Sequence, residues 1–147
     1  MPVIDFHSHI LPGVDDGSRN TEESLAMLHL AGKQGVDLMI STSHFYARHD
    51  RPEKFLRRRN DAYKRLKNAI DASHREEKKT GDYQKKMPDI ILGAEVAYFN
   101  GISKAEEIRQ LTIEGTDLLL LEMPFCKWTE SIMEDVEDLV YNSDMKI

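Results

Sequence analysis

The chain has 147 residues, 40% hydrophobic and 31% charged, with a formal net charge of -6. That length suits one ordinary domain, residues 1–147, with a core of its own, and the balance is that of a globular protein in water. No apolar run approaches the roughly 18 residues that span a bilayer, and the N-terminus lacks the basic and apolar stretches of a secretory signal, so membrane insertion is excluded and a cytoplasmic location is expected.

Val3 to Ser8 reads as a first strand. Asp5, His7 and His9 alternate along it, and a strand turns alternate residues to one side. The loop Pro12-Gly13-Val14-Asp15-Asp16-Gly17 then presents two carboxylates between glycines. Asn20 or Thr21 caps a helix to about Gln34, with Leu25, Leu28 and Ala31 on one stripe and Gly35 as its stop. Val36 to Thr42 is a second strand, nearly continuous in apolar character as a buried parallel strand is, and it leads into His44.

After a loop from Phe45 to Arg51, Pro52 fits the first turn of a long helix to about Lys79. Leu56, Arg59, Tyr63, Leu66 and Ile70 mark its inner face, the arginine being the exception. From Arg48 to Lys86, 14 Lys and Arg stand against 7 Asp and Glu, a balance of +7 that leaves -13 for the remainder. The acidic remainder suits cation binding. The basic segment reads first as a solvated helix face and second as an attractor for a phosphorylated or acidic partner.

Lys78 to Lys86 is polar, contains Gly81 and reads as an exposed link. Asp89 to Glu95 is a third strand, Ser103 caps a short helix to about Leu111, and Asp117 to Met123 is a fourth strand ending near Glu122. Cys126 is the single cysteine, so no internal disulfide forms. Six positions later, where a cysteine-dependent phosphatase needs Arg, stands Ile132, and Cys126 is expected to be a small, partly buried residue. A helix follows from Glu130 to about Tyr141, and Met145-Lys146-Ile147 starts a fifth strand. The alternation of strand and helix predicts an α/β fold, a parallel sheet or barrel with helices outside.

Imidazoles and carboxylates stand at the C-terminal ends of four successive strands: His7 and His9, His44, Glu95 and Glu122, with Asp16 from the first loop. In α/β barrels the site is built at that edge. Mixed nitrogen and carboxylate ligands suit Mn, Fe or Zn better than Ca. Three histidines and three acids exceed the needs of one catalytic zinc, so two or three ions are expected, able to activate a water and clamp phosphoryl oxygens. Spacing does not decide between Asp15 and Asp16 as the ligand, and His44 can equally close its strand. Asp5 is expected behind the ligands, orienting an imidazole. Arg48, His49 and Arg51 follow His44, where they can reach a bound phosphate or serve as ordinary loop charges.

His-Ser-His-Ile-Leu-Pro-Gly-Val-Asp-Asp-Gly at 7–17, Ser-Thr-Ser-His at 41–44, Gly-Ala-Glu at 93–95 and Leu-Leu-Glu-Met-Pro at 120–124 resemble the polymerase-and-histidinol-phosphatase (PHP) superfamily. Within it they are most similar to the bacterial metal-dependent protein-tyrosine phosphatases of capsule and exopolysaccharide operons. The resemblance implies a distorted (β/α)7 TIM-like barrel in which His7 and His9 hold one metal and Glu95 bridges two. Asp16, His44 and Glu122 complete the ligands, and Asp16 and His44 are the candidate catalytic residues. The implied reaction is hydrolysis of phosphotyrosine by a metal-activated hydroxide, with manganese the expected ion, on the Tyr-rich tail of a bacterial tyrosine kinase. Arg48 and Arg51 are the candidate substrate contacts.

The family's later His-Pro-Glu-Arg and Asp-x-His motifs do not occur in this sequence. The expectation is therefore an incomplete barrel of about the first four to five β/α units, impaired in activity, whose open edge favours a homo-oligomer or swapped dimer. The rival expectations are a non-catalytic metal-binding or interaction remnant and a small-molecule phosphatase acting on histidinol phosphate or a nucleotide end. The acidic balance and single Trp argue against nucleic acid.

Overall fold

The computed structural model describes residues 1–80 and 86–147. Six strands, β1 (Ile4–Ser8), β2 (Leu38–Ser41), β3 (His44–Phe45), β4 (Asp89–Leu92), β5 (Glu95–Ala97) and β6 (Leu120–Glu122), alternate with three helices, α1 (Thr21–Gln34), α2 (Pro52–Thr80) and α3 (Glu130–Asn142). Every strand pair is parallel, in two three-stranded sheets ordered β1-β2-β4 and β3-β5-β6. The α/β expectation holds at that level. Neither sheet closes on itself, so the architecture is an open parallel α/β arrangement.

The third strand, expected to run unbroken, is interrupted, and the second, expected to end at Thr42, stops at Ser41 and resumes as β3 at His44. Thr42-Ser43 separates β2 from β3, and Gly93-Ala94 separates β4 from β5. The Gly93 N–H donates to the Ser41 carbonyl at 2.7 Å and the Glu95 N–H to the Ser43 carbonyl at 3.1 Å, so the ladder crosses the gap. Leu38 pairs with Asp89 before it and His44 with Glu95 after it, an unchanged register. The two gaps lie side by side and leave His44 beside Glu95.

Local chemistry explains several helix boundaries. The Asn20 side chain accepts from the Glu23 N–H to cap α1, and Gly35 ends the helix at φ 94, a left-handed conformation that glycine adopts without strain. Thr129 caps α3 in the same way. α2 buries Phe55, Arg59, Ala62 and Leu66 at helical spacing, while Leu56, Tyr63 and Ile70 are only partly covered. Of the expected link at 78–86, residues 81–85 lie outside the described residues.

Three expectations are corrected. Ser103 caps no helix: Ile102–Lys104 and Glu106–Leu111 are 3-10 turns without side-chain caps, and the Ser103 hydroxyl donates instead to Asp135. Cys126 is exposed rather than partly buried, lying beyond the end of β6 at Glu122. The alternation of β1 is disturbed by a register shift between Asp5 and Ser8, a bulge that re-aims the side chains beyond it. The start of a fifth strand is present as a parallel bridge between Leu118 and Lys146.

Two apolar clusters flank the sheets. One joins Leu28 and Ala31 of α1 and Ala62 and Leu66 of α2 to Met39 and Leu92. The other joins Phe45, Val96 and Leu119 to Phe55, Ile108 and Leu139. Together they fix the strands from behind and hold the C-terminal strand ends in one place. Among the described residues no helix is long and apolar enough to cross a membrane.

Candidate metal centre

Glu95, the first residue of β5, lies between three imidazoles. Its Oε1 is 3.6 Å from His7 Nε2, and its Oε2 is 3.1 Å from both His9 Nε2 and His44 Nδ1. Glu122 at the end of β6 comes within 3.6 Å of His44 Nδ1, and Asp16 Oδ1 within 3.6 Å of His44 Nε2 and 3.4 Å of His9 Nδ1. All six candidate ligands are thus brought together. Three overlapping sets have ligand atoms close enough for one ion each: His7, His9 and Glu95; His9, Asp16 and His44; His44, Glu95 and Glu122.

The hydrogen bonds around these groups resolve what spacing left open. Asp15 is the buried member of its pair, its side chain 6% exposed against 78% for Asp16. Its Oδ2 sits 3.0 Å from His9 Nδ1 and accepts from the His44 backbone N–H at 2.9 Å, while Oδ1 accepts from the Gly17 N–H at 3.1 Å. Asp15 therefore orients His9, turning Nε2 toward Glu95, while the Asp16 carboxylate stays exposed beside His9 and His44. The His7 Nδ1 meets the Thr42 hydroxyl at 2.7 Å, which turns its Nε2 the same way. Asp5 does not orient a ring: its recorded bond is from the His7 backbone N–H at 3.3 Å.

The loop carrying the two aspartates is held tightly. The Ser18 N–H donates to the His9 carbonyl, and the Ser24 hydroxyl of α1 donates to the Ile10 carbonyl. Gly17 is pressed so close that an added Cβ would lie 2.2 Å from the His9 oxygen. Any larger residue would displace His9.

A cation fits this donor set. His44 Nδ1, Glu95 Oε2 and Glu122 Oε2 are fully buried without a hydrogen-bond partner. His44 Nδ1 and Glu95 Oε2 are 3.1 Å apart, yet they do not meet in hydrogen-bond geometry. Buried polar atoms without partners are costly, and a shared positive ion would satisfy all three.

Beside the cluster lies a cleft of about 330 Å³ bordered by Tyr46, Arg48, His49, Tyr98, Phe99, Glu122 and Phe125. The Tyr46 ring stacks on His44, centroids 5.1 Å apart. Burial, and then the charges of Glu122, Asp16 and Glu95, push the Tyr46 phenol up. Arg48 is on this cleft, whereas Arg51 lines a separate depression with Asp50, Pro52 and Phe99. Thr42, Tyr46 and Tyr98 went unassigned in the sequence reading. Thr42 sits inside the Ser-Thr-Ser-His motif, two residues before His44, a position that could have singled it out.

Tyrosine-protein phosphatase CpsB of Streptococcus agalactiae serotype V is 31% identical over 122 residues, 82% of this chain and 44% of that protein. Tyrosine-protein phosphatase YwqE of Bacillus subtilis is 26% identical over 147 residues, 98% of this chain and 50% of its own. The chain thus spans about half the length of these curated relatives. A chain from the crystal structures of YwqE from Bacillus subtilis and CpsB from Streptococcus pneumoniae, metal-dependent tyrosine phosphatases, superposes with a TM-score of 0.65 at 25% identity, covering 93% of this chain and 51% of that one. The profile of the capsular polysaccharide synthesis family CpsB/CapC matches residues 3–146, and the chain belongs to that family.

Proposed function

We propose that residues 1–147 form a single PHP-type metallophosphatase domain that hydrolyses phosphotyrosine, with the phosphotyrosine tail of a bacterial tyrosine kinase of capsular or exopolysaccharide synthesis as substrate. The reading rests above all on Glu95, whose buried carboxylate faces three imidazoles without a hydrogen-bond partner for Oε2. In the same reading the strands belong to a distorted (β/α)7 TIM-like barrel, the protein works in the cytoplasm, and it self-associates through the open sheet edge or by swapping.

His7, His9 and Glu95 would hold one ion, and His44, Glu95 and Glu122 a second; Glu95 belongs to both sets. Asp16 joins His9 and His44 in a third set. Manganese is the proposed ion, with iron or zinc as alternatives, because the ligands mix imidazole and carboxylate. When bound, the ions supply an activated hydroxide and neutralise charge on the phosphoryl oxygens. Asp15 and Thr42 face Nδ1 of His9 and of His7 and so hold both rings with Nε2 toward Glu95. Tyr46 and Tyr98 border the cleft as aromatic walls for an aryl group, and Arg48 supplies positive charge to its phosphate; Arg51 lines the separate depression.

The test is metal content by plasma mass spectrometry together with hydrolysis of phosphotyrosine peptides. Wild type is expected to hold about two or more equivalents of transition metal and to turn over with added manganese, and Glu95→Gln to lose both. A metal-free wild type would overturn the reading. Metal retained without turnover on any aryl phosphate would favour a non-catalytic cation-binding module.

A further inference from the structure

Asp135 is no candidate ligand, yet it is 8% exposed, a carboxylate inside the apolar side of α3. It accepts from the Tyr98 hydroxyl at 2.8 Å, the Gly101 N–H at 2.9 Å and the Ser103 hydroxyl at 2.8 Å. The donors all come from the segment that follows β5. Burial opposes its charge, but these hydrogen bonds outweigh that and hold its pKa below the ordinary carboxylate range. Such a carboxylate stays ionised and acts as a fixed anchor at neutral pH.

The anchored segment is part of the site. Tyr98 borders the cleft, and its backbone N–H donates to the Glu122 carbonyl at 2.9 Å. One residue therefore connects α3 through its side chain to a candidate metal ligand through its backbone. The Tyr98 ring also packs against the apolar cluster that includes Leu139 of α3, so Asp135 adds a directional polar tie to that contact; the other hydroxyl contact, to Asn100, is longer at 3.4 Å.

We infer that Asp135 is a positioning residue, which fixes Tyr98 as the wall of the aryl-binding cleft and steadies the end of β6 that carries Glu122. The inference deepens the function proposed above and rests on it for the identity of the ligand. Its mechanical part, the coupling of Asp135 to the Tyr98–Glu122 bond, stands independently.

The experiment uses the full chain loaded with manganese. Amide hydrogen exchange is followed at Tyr98 and Gly101 in wild type, Asp135→Asn and Tyr98→Phe, the last removing one donor while the Gly101 and Ser103 donors to Asp135 remain. Calorimetric titrations with O-phosphotyrosine and with inorganic phosphate accompany it. Both variants are expected to lose exchange protection at the Tyr98 N–H and to bind phosphotyrosine about tenfold more weakly, as for the loss of one hydrogen bond to a charged group. Inorganic phosphate affinity and metal content should stay as in wild type. Unchanged Tyr98 exchange in both variants would overturn the inference, as would equal losses for phosphotyrosine and phosphate. If wild type binds neither ligand, the functional reading fails, and the exchange data alone decide whether Asp135 holds the segment.

Discussion

The carboxylate of Asp15 accepts the backbone N–H of His44 at 2.9 Å, joining the first loop to the third strand across 29 residues of sequence. The same oxygen faces His9 Nδ1 at 3.0 Å. One buried acid thus sets the relative position of two candidate ligands.

The two neighbouring aspartates should separate cleanly by mutation. Asp15→Ala leaves the His44 N–H and the His9 ring without their acceptor, and we expect a stability loss of about 1–3 kcal/mol together with loss of bound metal. Asp16→Ala removes a side chain that is mostly exposed, so stability should change by less than about 0.5 kcal/mol while metal stoichiometry falls. Urea melts paired with metal analysis check both; equal destabilisation by the two would contradict the division of roles.

Gly17→Ala tests the closeness of the loop. Its Cβ would meet the His9 oxygen at 2.2 Å and the His9 Cβ at 2.3 Å, so the loop must shift. The expected cost is about 1–3 kcal/mol, as for other overpacked sites, with weaker metal retention as its companion. Full metal content in a folded Gly17→Ala protein would show that His9 tolerates displacement.

Arg59 provides a buried cation behind the site. It is 5% exposed and donates from Nη1 to the Gly93 carbonyl at 3.1 Å, at the gap between β4 and β5. Burial pushes its pKa down, against an upward pull from Glu114. Arg59→Met would strand that carbonyl and cost about 1–3 kcal/mol in denaturant melts. Arg59→Lys should not restore stability, because an ammonium lacks the planar fork that also reaches Asn60 from Nε.

Alkaline stability should report on Tyr98. Burial, and then the hydrogen bond and charge of Asp135, push its phenol up to about 12 from the ordinary 10. An acid with a raised folded pKa binds its proton more tightly when folded, so its stabilisation is full below pH 10 and is lost as pH rises through 12. Thermal melts between pH 9 and 12 should show that decline in wild type and a shallower one in Tyr98→Phe.

Elements with their own local signals were legible in the sequence: α1 from Asn20 and Gly35, α2 from Pro52, and the convergence of His7, His9, His44, Glu95 and Glu122 from their places at strand ends. What escaped depended on contacts between distant segments. Thr42 could be linked to His7 only once β1 and β2 were paired, and Asp15 could be told from Asp16 only by burial. Asp5 accepts from the His7 backbone N–H, a contact that strand alternation alone does not announce. Ser103 looks like a cap in isolation, but Asp135 claims its hydroxyl.

The shared break in the two central strands has a consequence for how the gene can vary. Thr42-Ser43 and Gly93-Ala94 are matched in length, and His44 stays in register with Glu95 only because of that match. Surface connections usually tolerate gained or lost codons. Here a single inserted codon in either gap would slide one strand end past the other and turn His44 or Glu95 to the opposite face. These two dipeptides behave as fixed-length spacers, and insertions should be absent from functional variants at these positions even where the residues themselves change.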